Sequence, residues 1–151
     1  MNRNDNSVKS EPRGIIGRTF EDNFPVIFKL VDELPDETTV GALPSLTVIS
    51  WKYDGSSNNG MPTQDAHKPM KDLELAIESE IVREDFCRHA FSRTGNGLKE
   101  LVYYVADRDA FMSKLNAALC NHPRYPIEID FYDDPQWDSF IGLLNAFRKS
   151  G

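Results

Sequence analysis

An α+β fold is what this 151-residue sequence predicts, and three observations predict it. Runs rich in β-branched and aromatic residues, SLTVISWKY above all, read as strands. Between them lie segments whose apolar residues recur at three- and four-residue spacing, as on one side of a helix. Asn96-Gly97 sits between two strand-like runs and favours a tight hairpin. The order of the middle elements is strand, helix, strand, strand, helix, strand. That is the order of a ferredoxin-like βαββαβ core. An extra N-terminal strand and a C-terminal helix flank it.

Each element has its own warrant. Residues 1–20 are polar without periodicity and read as a disordered tail, leaving 21–151 as a single domain. FPVIFKLVDEL alternates loosely and reads as the extra strand. PDETTVGALP is punctuated by Pro35, Gly41 and Pro44 and reads as a loop. In the next strand Leu46, Val48 and Ser50 share one face, and Thr47, Ile49, Trp51 and Tyr53 the other. DGSSNNGMP must turn, because Asp-Gly and Asn-Gly supply easy positive φ. Pro69 suits the first turn of a helix that carries Met70, Leu73, Ile77 and Ile81.

Asp107 caps the helix RDAFMSKLNAAL, with Phe111, Leu115, Ala118 and Leu119 along one side. YPIEIDFY alternates cleanly, Ile127, Ile129 and Phe131 against Glu128, Asp130 and Tyr132. Asp134 and Pro135 look like the cap and first position of the last helix, whose apolar stripe is Trp137, Phe140, Ile141, Leu144 and Phe147. Two helices cover one face of such a sheet. Whether the last helix caps the other face is open at this point.

Composition narrows the function classes. Apolar residues make up 40% of the chain, enough for a core. The formal charge is −7 with no Lys/Arg cluster, which disfavours nucleic-acid binding through the phosphate backbone and favours a basic protein partner. No apolar run approaches the ~18 residues of a membrane span. The N-terminus has no apolar secretory core, and two cysteines make no disulfide framework, so a cytoplasmic location is expected.

Catalytic signatures are sparse. Cys87-Arg88-His89 and Cys120-Asn121-His122 could fill a tetrahedral zinc site, but nothing in the local sequence brings them together, and no metal or cofactor is expected. Glu128/Asp130 and Asp133/Asp134 are paired carboxylates; a solvated face and a helix cap account for them without acid–base chemistry. No serine or cysteine stands in a nucleophile motif. The loop after Tyr53 lacks the Lys-Ser/Thr of a phosphate-binding loop. KELVYYVAD lacks the glycine pattern of an RNA-recognition strand. Trp51 and Tyr53 read in two ways: a platform beside a glycine-rich loop, or rings packed beneath the last helix.

Several short motifs resemble a known family. They are Trp51-Lys52-Tyr53-Asp54-Gly55, Asn59-Gly60-Met61-Pro62, Thr94-Gly95-Asn96-Gly97 before Leu101-Val102-Tyr103-Tyr104, and Pro126-Ile127-Glu128-Ile129 leading to Asp133-Asp134-Pro135-Gln136-Trp137. Over roughly residues 24–148 the chain resembles bacterial domains of unknown function, distantly linked to the ferredoxin-like B-type regulator of ribonuclease E activity. The resemblance implies the fold and a role in protein binding without catalysis.

The expectation is a non-catalytic regulatory domain, monomeric or homodimeric. Its binding residues are Trp51, Tyr53, Asp54, Asn59, Gly60, Met61, Pro62, Glu128, Asp130 and Trp137. The alternatives are a ligand-binding or enzymatic domain with a pocket under the 54–62 loop, or a toxin-immunity protein.

Overall fold

A computed structural model describes residues 14–150. Six strands, β1 (Gly14–Glu21), β2 (Phe24–Val31), β3 (Ser45–Lys52), β4 (Cys87–Gly95), β5 (Leu98–Val105) and β6 (Ile127–Asp133), form one sheet in the order β1-β2-β4-β5-β3-β6. Every neighbouring pair is antiparallel. Four helices accompany them: α1 (Glu37–Ala42), α2 (Gln64–Glu80), α3 (Arg108–Ala118) and α4 (Asp138–Ser150).

The sheet is buried on both sides because side chains alternate along each strand. On one side Ile49, Trp51, Leu101, Tyr103 and Val105 pack against Met70, Leu73 and Ile77 of α2 and Phe111 and Leu115 of α3. On the other, Leu30, Leu46, Val102 and Tyr104 pack against Phe140 and Leu144 of α4, beside Trp137 and Leu43. The last helix therefore caps the second face. It does not extend an edge.

Five expectations change. The N-terminal addition is a hairpin, not one strand: Gly14–Glu21 pairs with Phe24–Val31 along its whole length. The expected tail thus gives way to strand at Gly14, and residues 1–13 lie outside the described residues. The hairpin forms because Asp22 (φ 51°) and Asn23 (φ 69°) both adopt the left-handed conformation of a two-residue turn, which short polar side chains tolerate. The 35–44 loop contains α1, started by the Asp36 carboxylate accepting from the Thr39 N–H at 2.7 Å.

Helix α2 begins at Gln64, so Pro69 lies inside it and not in its first turn. Only one intrahelical donor is lost there, and the apolar side of the helix is deep enough to hold the segment helical. Helix α4 begins at Asp138, later than Asp134-Pro135 implied. Asp134 still serves its N-terminus, its two carboxylate oxygens accepting from the N–H groups of Asp138 (2.9 Å) and Ser139 (3.1 Å). The Asp107 cap of α3 forms as expected, accepting from the Ala110 N–H at 2.8 Å.

Candidate functional site

Three turns meet at one end of the sheet: Asp22-Asn23, Asn96-Gly97 and the 53–62 loop. The loop is built from its own hydrogen bonds. Asp54 accepts from the Ser56 N–H (3.0 Å) and hydroxyl (2.6 Å), and that hydroxyl holds its carboxyl below the usual carboxylate range. Asn58 Nδ2 donates to the Pro62 carbonyl at 3.0 Å. The Gly60 N–H donates back to the Gly55 carbonyl at 2.8 Å.

The folded loop is then clamped to the β4–β5 turn. The Tyr53 hydroxyl donates to the Gly60 carbonyl (2.6 Å), which also accepts from the Gly97 N–H (3.0 Å). Burial pushes the Tyr53 hydroxyl above its ordinary pKa. Gly60 has φ +83°, and a Cβ there would lie 3.0 Å from the Asn96 nitrogen; one at Gly55 would lie 2.7 Å from the Gly60 carbonyl carbon. Both glycines are thus explained by close backbone approach. A shallow hollow of about 190 Å³ remains, lined by Phe24, Gly55, Ser56, Gly60, Asn96 and Gly97. Arg93 staples this corner from below. Its Nη1 donates to the carbonyls of Gly95 (3.0 Å) and Leu98 (2.9 Å), and its Nη2 to Glu21 at 2.8 Å.

The two tryptophans do not join that corner. Trp51 is buried beneath α2, not beneath the last helix, with its ring 5.3 Å from that of Tyr125. Trp137 is buried on the opposite face, stacked on Tyr104 at 4.1 Å and donating from Nε1 to the Leu43 carbonyl at 2.8 Å. Neither ring presents a surface. Asp54 and Asn59 are exposed, while Met61 and Pro62 are half-buried at the loop's return.

Glu128 and Asp130 lie elsewhere again, on edge strand β6. They are exposed there together with Tyr132, while Ile127, Ile129 and Phe131 turn to the α2/α3 side. The register puts Arg93, Glu100, Ser50 and Glu128 in one row across β4, β5, β3 and β6. Burial raises the Glu100 carboxyl, against the pull of Arg93. Asp133 lies on the other side of β6, toward α3, bonded to Arg108 at 2.6 Å. Tyr132 is 53% exposed. It is an exposed aromatic ring on the same side as Glu128 and Asp130.

The remaining chemistry is dispersed. Cys87 is buried and Cys120 exposed. Among the described residues no cluster of three or more His, Cys, Asp or Glu side chains is placed to hold a metal. His89 Nε2 contacts the Phe91 carbonyl at 3.1 Å, and His122 Nδ1 the Tyr125 hydroxyl at 2.7 Å. Burial pushes the Cys87 thiol up to about 12, so it stays protonated and inert at neutral pH. An aromatic disulfide reagent should therefore titrate one thiol rapidly in the native protein, Cys120, and reach Cys87 only on unfolding. Two rapid equivalents would place Cys87 at the surface.

No described helix is long and apolar enough to cross a membrane. No curated protein and no solved structure matches the chain. A family model does match, over residues 18–144, from the second half of β1 to the first half of α4. The chain belongs to the family of unknown function DUF695.

Proposed function

We propose that this chain is a non-catalytic binding module whose docking surface is the outward side of β6, and that its partner is a basic protein. The observation that carries the reading is the shared exposure of Glu128, Asp130 and Tyr132 on one side of an edge strand, in a chain of net charge −7. Carboxylates so placed steer a basic partner to the surface, and an exposed tyrosine supplies the apolar area that holds it. The buried tryptophans leave the anchor role to Tyr132.

The fold supports the same reading. In β3-α2-β4-β5-α3-β6 the strands lie in the order β6-β3-β5-β4, which is fourth, first, third, second. We read this as a ferredoxin-like core widened by the β1–β2 hairpin, and that arrangement leaves β6 at a sheet edge. The tightly self-bonded 53–62 loop acts in this reading as a strut that fixes the β4–β5 turn. Its hollow of about 190 Å³ is open and shallow, which favours binding at the strip over a ligand site beneath the loop.

The test is affinity capture on the full chain from lysate of the source cell, treated with nuclease. Wild type is compared with Glu128→Gln/Asp130→Asn and with Tyr132→Ala. The expected result is a basic protein held by wild type, released by moderate salt, and lost or strongly depleted with both variants. Equal retention by wild type and both variants, or no retained protein, would overturn the reading. All three should melt alike, because the altered side chains are exposed.

A further inference from the structure

The two edges of the sheet are unlike. Charged side chains line β6, which is how proteins blunt an edge against strand addition. The opposite edge, β1, reads GIIGRTFE, and among the described residues no strand pairs beyond it. Its Ile16 is 72% and its Phe20 65% exposed, on the same side of the strand.

The hairpin turn fixes which backbone groups of β1 are free. Glu21 and Phe24 close a two-residue turn, so they exchange hydrogen bonds, and the pairing then alternates along the strand. Glu21, Thr19, Gly17 and Ile15 point their N–H and C=O toward β2. Phe20, Arg18, Ile16 and Gly14 point theirs outward. Pro25, opposite Phe20, needs no N–H for the ladder, which agrees with this phase.

We propose that the β1 edge pairs antiparallel with the β1 edge of a second copy of this chain, about a two-fold axis at Gly17. A two-fold brings each strand against itself, so residue pairs are set by the centre alone. Centring on Arg18 opposes two arginines. Centring on Ile16 leaves Phe20 without a partner in the described strand. Centring on Gly17 sets every outward-bonding residue opposite another: Ile16 against Arg18, and Phe20 against Gly14, whose bare backbone accepts a ring. On the other side Ile15 meets Thr19.

Gly17 suits the axis for a second reason. The Phe147 side chain of α4 lies over it so closely that a Cβ would collide with the ring, and that ring also packs on Phe28 at 5.4 Å. Phe147 is half-buried, and pairing about Gly17 would bring it beside its symmetry mate. The product is a continuous sheet through both copies, with the acidic strips at its two far edges. This proposal is independent of the partner reading for β6.

The test is light scattering on the full chain with backbone hydrogen exchange. Wild type should have twice the 17.2 kDa chain mass, with the Ile16, Arg18 and Phe20 amides protected. Arg18→Pro removes an outward donor and leaves the β1–β2 ladder whole, so the mass should halve while the Gly17 and Thr19 amides stay protected. Ile16→Lys/Phe20→Lys should halve it as well without any proline. A wild-type mass of 17.2 kDa, or a dimer that survives both variants, would overturn the proposal.

Discussion

Trp137→Ala should lower the stability of the fold by about 3–5 kcal/mol, the range for removing a buried aromatic ring. The ring is 3% exposed and stacks nearly parallel on Tyr104, with Phe140 edge-on at 6.1 Å. Its Nε1–H also satisfies the Leu43 carbonyl, so truncation leaves both a cavity and an orphaned acceptor. Trp137→Phe separates the two, retaining most of the packing and costing about 1–2 kcal/mol for the hydrogen bond alone. Trp51→Ala should cost about 3 kcal/mol from the opposite face. Urea midpoints check all three. An unchanged midpoint for Trp137→Ala would mean that the ring is not packed between α4 and the sheet.

The second large effect is at Asp134, and it depends on pH. The carboxylate accepts from the Tyr104 hydroxyl (2.7 Å) and from the Asp138 and Ser139 N–H groups. Burial pushes its pKa up, but these bonds outweigh burial and the net shift is downward. A depressed folded pKa contributes stability above the unfolded pKa of about 3.9, and loses it as pH falls through the folded value. Asp134→Asn should therefore cost about 1–3 kcal/mol at neutral pH, because its amide sets a donor against donors. Wild type and variant should converge in acid. At the other end, burial and Asp134 raise the Tyr104 hydroxyl well above its ordinary value. That stability is present below the unfolded tyrosine pKa of about 10 and is lost at higher pH. A constant difference between wild type and Asp134→Asn from neutral pH to acid would contradict the assignment.

Much of the core was legible in the sequence because periodicity and turn chemistry agreed. Ile49 and Trp51 alternate with Val48 and Ser50, and Asn96-Gly97 supplies both positive φ values, so β3 and the β4–β5 hairpin follow directly. The first hairpin escaped notice because Asp22-Asn23 is a weaker turn signal than Asn-Gly. Its outer strand also shows little alternation, lying exposed on most of its length. The edge of a sheet gives a poor pattern because it buries little.

The site was less legible. Large aromatics beside a glycine-rich loop resemble a platform in sequence, but Trp51 and Trp137 fall on opposite faces, and parity cannot say which helix covers which face. Sequence parity did place Glu128, Asp130 and Tyr132 together. What it could not supply was the position of β6 at an edge, which follows from long-range pairing of Ser45–Trp51 with Ile127–Asp133. Arg93 escapes notice for a related reason: its partner Glu21 lies 72 residues away, at the end of a strand whose other residues fall in the expected tail.

The most direct test of the binding reading is a backbone amide shift titration of the labelled full chain with its captured basic partner. Shifts should concentrate at Ile127–Asp133 and at their β3 neighbours, weaken as salt rises and vanish with Glu128→Gln/Asp130→Asn. Shifts confined to the 53–62 loop and the Asn96-Gly97 turn, insensitive to salt, would contradict it and place the binding site in the hollow beneath that loop.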